Sequence, residues 1–158
     1  MFNPDTAPWN YFLGSFEAAA RSLMMESAVR RVQSAAEIEQ SIAALDGADT
    51  GLVLMTDSFL AANQERIIAT ALRHKIPTIF DPPTYVRNGG LLSYGPNLTD
   101  LCGRAAGYVD RILRGDKPAN LPVQLPTTFD FAINLKTAKV LGLTVPPPLL
   151  VNATELIE

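Results

Sequence analysis

Histidine and cysteine, which carry much of the nucleophilic and metal chemistry of enzymes, are almost absent from this chain. His74 is the only histidine and Cys102 is the only cysteine in the 158 residues. A single cysteine excludes an internal disulfide, and one histidine far from one cysteine does not form the ligand cluster that a metal site needs. The G-x-S-x-G turn of a serine nucleophile is also missing. We therefore predict no catalytic residue, no metal and no cofactor.

Basic blocks and long apolar runs are lacking as well. Thirteen Lys and Arg against sixteen Asp and Glu give a formal net charge of −3, so nucleic acid is not an expected partner. No apolar run approaches the roughly 18 residues of a membrane span. The opening MFNPDTAPWNYF has neither the basic nor the apolar region of a secretory signal. Length and composition, with 47% apolar residues, fit one globular domain with its own core.

What the chain does contain is an alternation of apolar strands and amphipathic helices. The spacing of apolar residues and turn signals predicts helices over 9–24, 34–46, 61–74, 97–114 and 135–141, with a possible further helical turn near the end. Strands are predicted over 28–33, 51–55, 76–80, 91–94 and 127–133, with a last edge strand in the tail. Gly47 and Gly115 are the predicted stops of two helices. This order predicts an α/β fold with a mostly parallel sheet and flanking helices.

The helix that Asn97 caps has a wide apolar stripe. Its members are Leu98, Leu101, Cys102, Ala105, Val109, Ile112 and Leu113. Burial of such side chains contributes about 1.5–3 kcal/mol each, so we expect another surface to cover the stripe. Cys102 is accordingly predicted to be a core residue.

The stretch GGLLSYGP at residues 89–96 resembles a phosphate loop only in its glycine content. It fits neither G-x-G-x-x-G nor G-x-x-x-x-G-K-[ST]. Its paired glycines are better explained as a turn that releases the chain from a loop into a strand. His74, between Arg73 and Lys75 in the last turn of a predicted helix, is expected to interact with the helix C-terminus.

Asp57 follows the predicted strand 51–55 after one intervening residue, at the end of a strand where α/β sheets bind ligands. A phospho-acceptor aspartate of a receiver domain occupies such a position, but that chemistry needs an acidic pair after the first strand and only Asp5 is available there. The alternative is that Asp57 caps the following helix. The residues alone leave ligand contact and helix cap open.

Several segments together resemble the substrate-binding proteins of ABC transporters, in particular the group that includes tryptophan-binding lipoproteins. The segments are FNPDTAP, FEAAARSL, LVLMTDSF, ERIIATALRHKIPTIFD, GGLLSYGPNLTDL, YVDRILRG, LPVQLPT, INLKTAKVLGL and LLVNATELIE. The order of GGLLSYG, YVDRILRG, LPVQLPT and INLKTAKVLGL is the most specific part, and the resemblance covers nearly the whole chain.

The resemblance implies the fold of type I periplasmic binding proteins, in which two α/β lobes joined by crossovers hold a ligand between them. The chain resembles the C-terminal half only, as a single domain over 1–158 whose opening strand is truncated. Residues 81–90 would then lead out to the first lobe and 115–123 would return. The segment 81–123, including strand 91–94 and the next helix, would belong to that first lobe.

The function implied by the resemblance is binding of a small polar solute, such as an amino acid, for delivery to an ABC permease, outside the cytoplasm. The chain as written, without a signal peptide, would stay cytoplasmic. Six residues are expected to face the cleft. They are Asn3 and Thr6 after the first strand, Asp57 and Ser58 after the next, and Phe59 and Tyr94 as apolar or stacking surface. Asp57 would pair with a ligand ammonium group.

Two further functions stay open. The first alternative is a truncated protein that binds no solute and forms a homodimer through residues 91–114, by covering the apolar stripe. The less favoured alternative is a receiver-like domain that accepts a phosphoryl group at Asp57.

Overall fold

A five-stranded sheet organises the protein in a computed structural model that describes residues 1–7, 9–45 and 49–158. The strands are β1 (Leu52–Val53), β2 (Thr78–Ile79), β3 (Leu92–Pro96), β4 (Phe129–Asn134) and β5 (Glu155–Ile157). They lie side by side in chain order. β3 and β4 are antiparallel, and the other neighbouring pairs are parallel. The predicted mostly parallel α/β fold is confirmed.

The helices connect these strands and flank the sheet. They are α1 (Trp9–Ser22), α2 (Ala35–Ala43), α3 (Ser58–Ala62), α4 (Gln64–His74), α5 (Thr84–Arg87), α6 (Leu98–Leu113), α7 (Leu135–Leu141) and α8 (Pro147–Asn152), with a 3-10 turn at Pro118–Asn120. The predicted helix 61–74 is in fact two helices that meet at Asn63, and the Asp57 side chain caps the first of them. Gly47, the predicted stop of α2, lies outside the described residues.

The N-terminal segment runs beside β1. The Met55 N–H donates to the Met1 carbonyl over 3.0 Å, and on the other side Phe2 exchanges backbone hydrogen bonds with residues 30 and 32. The predicted strand 28–33 is reduced to one bridge, between Phe2 and Arg31. From residues 1–3 the chain therefore passes through α1 to residues 30–32 on one side. It then passes through α2 to β1 on the other side.

One face of the sheet and its helices form the core. The buried apolar cluster consists of Met1, Val32, Ile38, Ile42, Leu52, Leu54, Leu60, Ile67, Ile68, Ala71, Ile76, Phe80, Tyr85, Val86 and Ala132. Tyr85 is fully buried, and its hydroxyl lies 2.7 Å from the Thr78 Oγ1. Burial raises the pKa of Tyr85 to about 12, although the hydrogen bond to Thr78 opposes this shift.

The two glycines at the start of the stretch GGLLSYGP are needed for different reasons. Gly89 adopts φ +104°, a conformation that side chains disfavour. Gly90 lies against the Tyr85 ring, so that a Cβ there would overlap the ring. The interpretation of these glycines as backbone geometry, without a phosphate-binding role, agrees with both observations.

β3 and α6 differ from what the sequence predicted. β3 hydrogen bonds with β2 and β4, so it is an integral strand of this sheet, whereas we expected it in the other lobe. α6 has no buried residue among those described. Cys102 is exposed, and its prediction as a core residue is wrong because no described element packs over the apolar stripe of α6. The other expectations for residues 81–123 stay predictions.

Candidate functional site

The candidate site lies at the edge of the sheet where residues 1–3, β1, β2 and β3 end. β4 is antiparallel to β3, so its first residues reach the same edge. The connection through α1 leads away from residues 1–3 to one side, and β1 lies on the other side. Such a change of direction opens a crevice at the strand ends, the usual ligand position in open α/β sheets.

Asp57 joins two of these strand ends. Its Oδ2 accepts from the Asn3 backbone N–H over 2.6 Å, and its Oδ1 accepts from the Thr6 hydroxyl over 2.7 Å. The same Oδ1 accepts from the Phe59 N–H at 2.8 Å and from the Leu60 N–H at 3.4 Å. Asp57 is 4% exposed. The geometry therefore agrees with the helix-cap alternative, and the carboxylate is already hydrogen-bonded by four donors of the protein.

Asn3, Thr6, Asp57 and Phe59 are thus brought together, as the predicted site requires. Asn3 is buried and its side-chain oxygen accepts from the Asp5 N–H at 2.8 Å. Thr6 and Ser58 are exposed, and Phe59 is partly buried against the core. The side chains that reach solvent here are therefore neutral hydroxyls.

Tyr94 belongs to a separate aromatic group. Its ring stacks on Phe129, with centroids 5.6 Å apart, and meets Phe131 edge-on at 6.1 Å. Tyr94 is 55% exposed. Among the described residues, no hydrogen bond or ring contact connects it with Asn3, Thr6 or Asp57.

Asp81, which the sequence reasoning missed, follows β2 at this edge. The same rule that pointed to Asp57 applies to it, because it comes directly after the predicted strand 76–80. Its carboxylate lies against Gly95 at the end of β3, where a Cβ would overlap it. In the described part of the chain, no hydrogen bond or ion pair reaches this carboxylate.

A second carboxylate, Asp130, lies across from Gly95 in the β3–β4 ladder. It accepts from the Asn97 side-chain amide over 2.9 Å. Partial burial, and secondarily the negative charge of Asp130, raise the pKa of Asp81 above its ordinary value of 3.8. The strand edge thus contains a half-buried carboxylate that has no hydrogen-bond or ion-pair partner among the described residues, beside a second carboxylate.

This arrangement suits ligand binding better than chemistry. A receiver-like role for Asp57 conflicts with its burial and with the four donors on its carboxylate. Over 1–7, 9–45 and 49–158, no three His, Cys, Asp or Glu residues are grouped to hold a metal ion. Two open depressions have volumes of about 520 Å³ beside α4 and about 370 Å³ beside α7, and neither is lined by Asn3, Asp57 or Asp81.

Comparison with protein families matches residues 16–157 to the ABC transporter substrate binding proteins. The chain belongs to this family. Comparison with curated proteins gave no match. Within the described residues of this family member, no helix is long and apolar enough to cross a membrane.

Three solved structures are similar to this chain over 98–99% of its length. A conserved domain protein from Vibrio cholerae O1 biovar El Tor strain N16961 is 25% identical, with a TM-score of 0.86. An ABC domain from Streptococcus pneumonia in complex with L-Trp is 23% identical, with a TM-score of 0.85. A ligand-free, open substrate-binding protein with adhesive properties from Clostridium difficile is 22% identical, with a TM-score of 0.72.

The chain spans about half the length of these structures, since it covers 52%, 54% and 52% of their chains. The two with lower identity show the shared fold alone. Together they show the periplasmic binding protein fold for this chain.

Proposed function

We propose that the protein is the solute-binding component of an ABC transporter and holds a small polar molecule, such as an amino acid, in a cleft between two lobes. The observation that carries the proposal is the family match over residues 16–157. In this proposal the chain forms the second lobe, and the strand edge with Asn3, Asp57 and Asp81 is one wall of the cleft.

The chemistry of the edge supports a small zwitterionic ligand. Exposed hydroxyls at Thr6 and Ser58, an unpaired carboxylate at Asp81 and an exposed ring at Tyr94 provide polar, charged and apolar surface. Convergent polar groups on mostly apolar surface are typical of small-molecule sites. A similar protein was solved with L-Trp, which supports an amino acid as the ligand class.

A thermal-unfolding screen with the twenty amino acids tests this function. A ligand present at 100 times its dissociation constant stabilises the folded state by about 2.7 kcal/mol. We expect at least one amino acid to raise the unfolding temperature, with calorimetry showing saturable binding. Absence of binding by any amino acid or small peptide would contradict the proposal.

Partner and location follow from the same proposal. An ABC permease would be the protein partner, and binding would take place outside the cytoplasm. Localisation of the protein in its native cells by fractionation tests this, and a purely cytoplasmic pool would contradict it.

A homodimer is the second candidate, and the exposed face of α6 favours it. Leu98, Val109 and Leu113 are 69%, 55% and 81% exposed there. The neighbouring segment adds Val123 and Leu125, which are also exposed. A contiguous apolar surface of this kind marks an interaction site in soluble proteins.

A further inference from the structure

The carboxylate that is free to receive a ligand at this edge is Asp81. The sequence suggested Asp57 for that role. Its carboxylate already accepts one backbone and one side-chain hydrogen bond from the N-terminal segment, and two backbone hydrogen bonds from α3. A ligand ammonium group would have to displace one of them. A buried donor that loses its partner is left unsatisfied, which is unfavourable, so Asp57 is poorly suited to exchange partners with a solute.

Asp81 has the opposite properties. It is half-buried, so water solvates its charge incompletely, and among the described residues it has no donor and no cation. Asp130, across the β3–β4 ladder from Gly95, adds like-charge repulsion. Partly buried charges are normally paired. A bound cation would offset both the incomplete solvation of Asp81 and its repulsion by Asp130.

The backbone around Asp81 leaves space for its carboxylate. Gly95 has no side chain, and any Cβ at that position would occupy the place of the carboxylate. Ser93, two residues earlier and therefore on the same face of β3, is fully buried, and its hydroxyl has no hydrogen-bond partner. Two groups without a hydrogen-bond partner among the described residues, the Asp81 carboxylate and the Ser93 hydroxyl, therefore lie on one face of this strand end.

We propose that Asp81, assisted by the charge of Asp130, receives the ammonium group of the ligand, while Asp57 acts only as the structural link between the first two strand ends. This assignment rests on the proposed function, since it names a residue of the same cleft. It limits the solutes to molecules with a cationic nitrogen, such as free amino acids and amines, and disfavours dicarboxylates and neutral sugars.

A pair of probes isolates the ammonium contact. L-tryptophan and indole-3-propionate share the indole ring and the carboxylate, and they differ only in the ammonium group. Both are titrated by calorimetry into the wild type, Asp81→Asn and Asp110→Asn. Asp81→Asn keeps the shape of the side chain and removes its charge. Asp110→Asn, at an exposed ion pair with Arg114 on α6, is the matched control.

We expect the wild type and Asp110→Asn to bind L-tryptophan at least tenfold more tightly than indole-3-propionate. In Asp81→Asn this preference should disappear, because L-tryptophan loses tenfold or more while indole-3-propionate is unchanged or slightly stronger. A thermal melt showing that Asp81→Asn is at least as stable as the wild type would attribute the loss to the contact itself. Retention of the full preference in Asp81→Asn would overturn the assignment to Asp81, whereas a wild type that binds no amino acid at all would contradict the proposed function.

Discussion

At the scale of single residues, Asp57 after β1 and Asp81 after β2 show how residues of the same type in comparable positions acquire different roles. Both follow an apolar strand at the same edge of the sheet. Asp57 meets donors from two segments and is buried, while Asp81, within the part of the chain that the structure describes, lies against Gly95 and interacts with another carboxylate. The difference arises from neighbours that are distant in sequence, so no local pattern could have distinguished the two.

Removal of the Asp57 carboxylate should destabilise the fold. Asp57→Ala deletes the α3 cap, worth about 1 kcal/mol, and leaves the Asn3 N–H without its acceptor. We expect a total loss of about 2–4 kcal/mol in the free energy of unfolding, measured by urea denaturation. Ser58→Ala, an exposed neighbour, should change it by less than about 0.5 kcal/mol. Equal stability of both variants would contradict the structural role of Asp57.

The charge of Asp81 should contribute to the pH dependence of the protein's stability. Because its pKa is raised in the folded protein above 3.8, folded Asp81 binds a proton where the unfolded chain does not. The contribution of Asp81 to stability is therefore most favourable at low pH, falls as pH rises between 3.8 and the folded pKa, and keeps the full penalty above it. Asp81→Asn should raise the unfolding temperature at pH 7 but leave it unchanged at pH 3. A lower temperature at pH 7 would show that the carboxylate is favourably paired.

Gly95 offers a steric test of the position of Asp81. Gly95→Ala places a Cβ on the Asp81 carboxylate, and we expect a loss of about 1–3 kcal/mol in unfolding free energy. Asp81→Ala introduced together with it should recover most of this loss, as a double-mutant cycle would show. Gly107→Ala on α6 is the control, since nothing lies within 4 Å of its Cβ. Additive effects of the two substitutions would mean that the side chains do not meet.

At the scale of elements, periodicity predicted most helices and strands, and the misses have physical reasons. The helix from 61 was predicted too late because the Asp57 cap depends on a side chain that also serves residues 3 and 6. Strand 28–33 has an apolar pattern too weak to specify a ladder, and only Phe2 pairs with it. The stripe of α6 was recognised, but a stripe cannot show which surface covers it.

Helices α4 and α6 should differ strongly in amide hydrogen exchange. α4 buries Ile67, Ile68 and Ala71 in the core, whereas α6 buries no residue. Two side chains of α6 donate to carbonyls of the following segment, the Tyr108 hydroxyl to Pro122 and the Arg104 guanidinium to Leu125. Local opening needs little free energy where few apolar contacts are lost. In dilute protein, the α6 amides should therefore exchange at least tenfold faster than those of α4, and equal protection would indicate that α6 is covered.

At the scale of the whole molecule, the family and the fold could be predicted from the sequence, because several motifs in a fixed order specify both. The candidate site could be predicted only in part. Asn3, Thr6 and Asp57 meet as expected, since the ends of neighbouring strands share one edge. Tyr94 lies in a different cluster, and Asp81, although the strand-end rule applies to it, differs from Asp57 through its neighbours Gly95 and Asp130.

The apolar face of α6 leads to the last prediction, which concerns association. If a second copy covers this face, light scattering should show a concentration-dependent shift from monomer to dimer in the high micromolar range. Leu113→Glu should return the protein to a monomer, because burial of a carboxylate against apolar surface is unfavourable. Leu113 is 81% exposed, so the substitution should leave the monomer fold intact. Val140→Glu on α7, at 64% exposure, is the control and should dimerise like the wild type. A wild type that stays monomeric at every concentration would rule out the homodimer and leave the face of α6 for a partner other than a second copy.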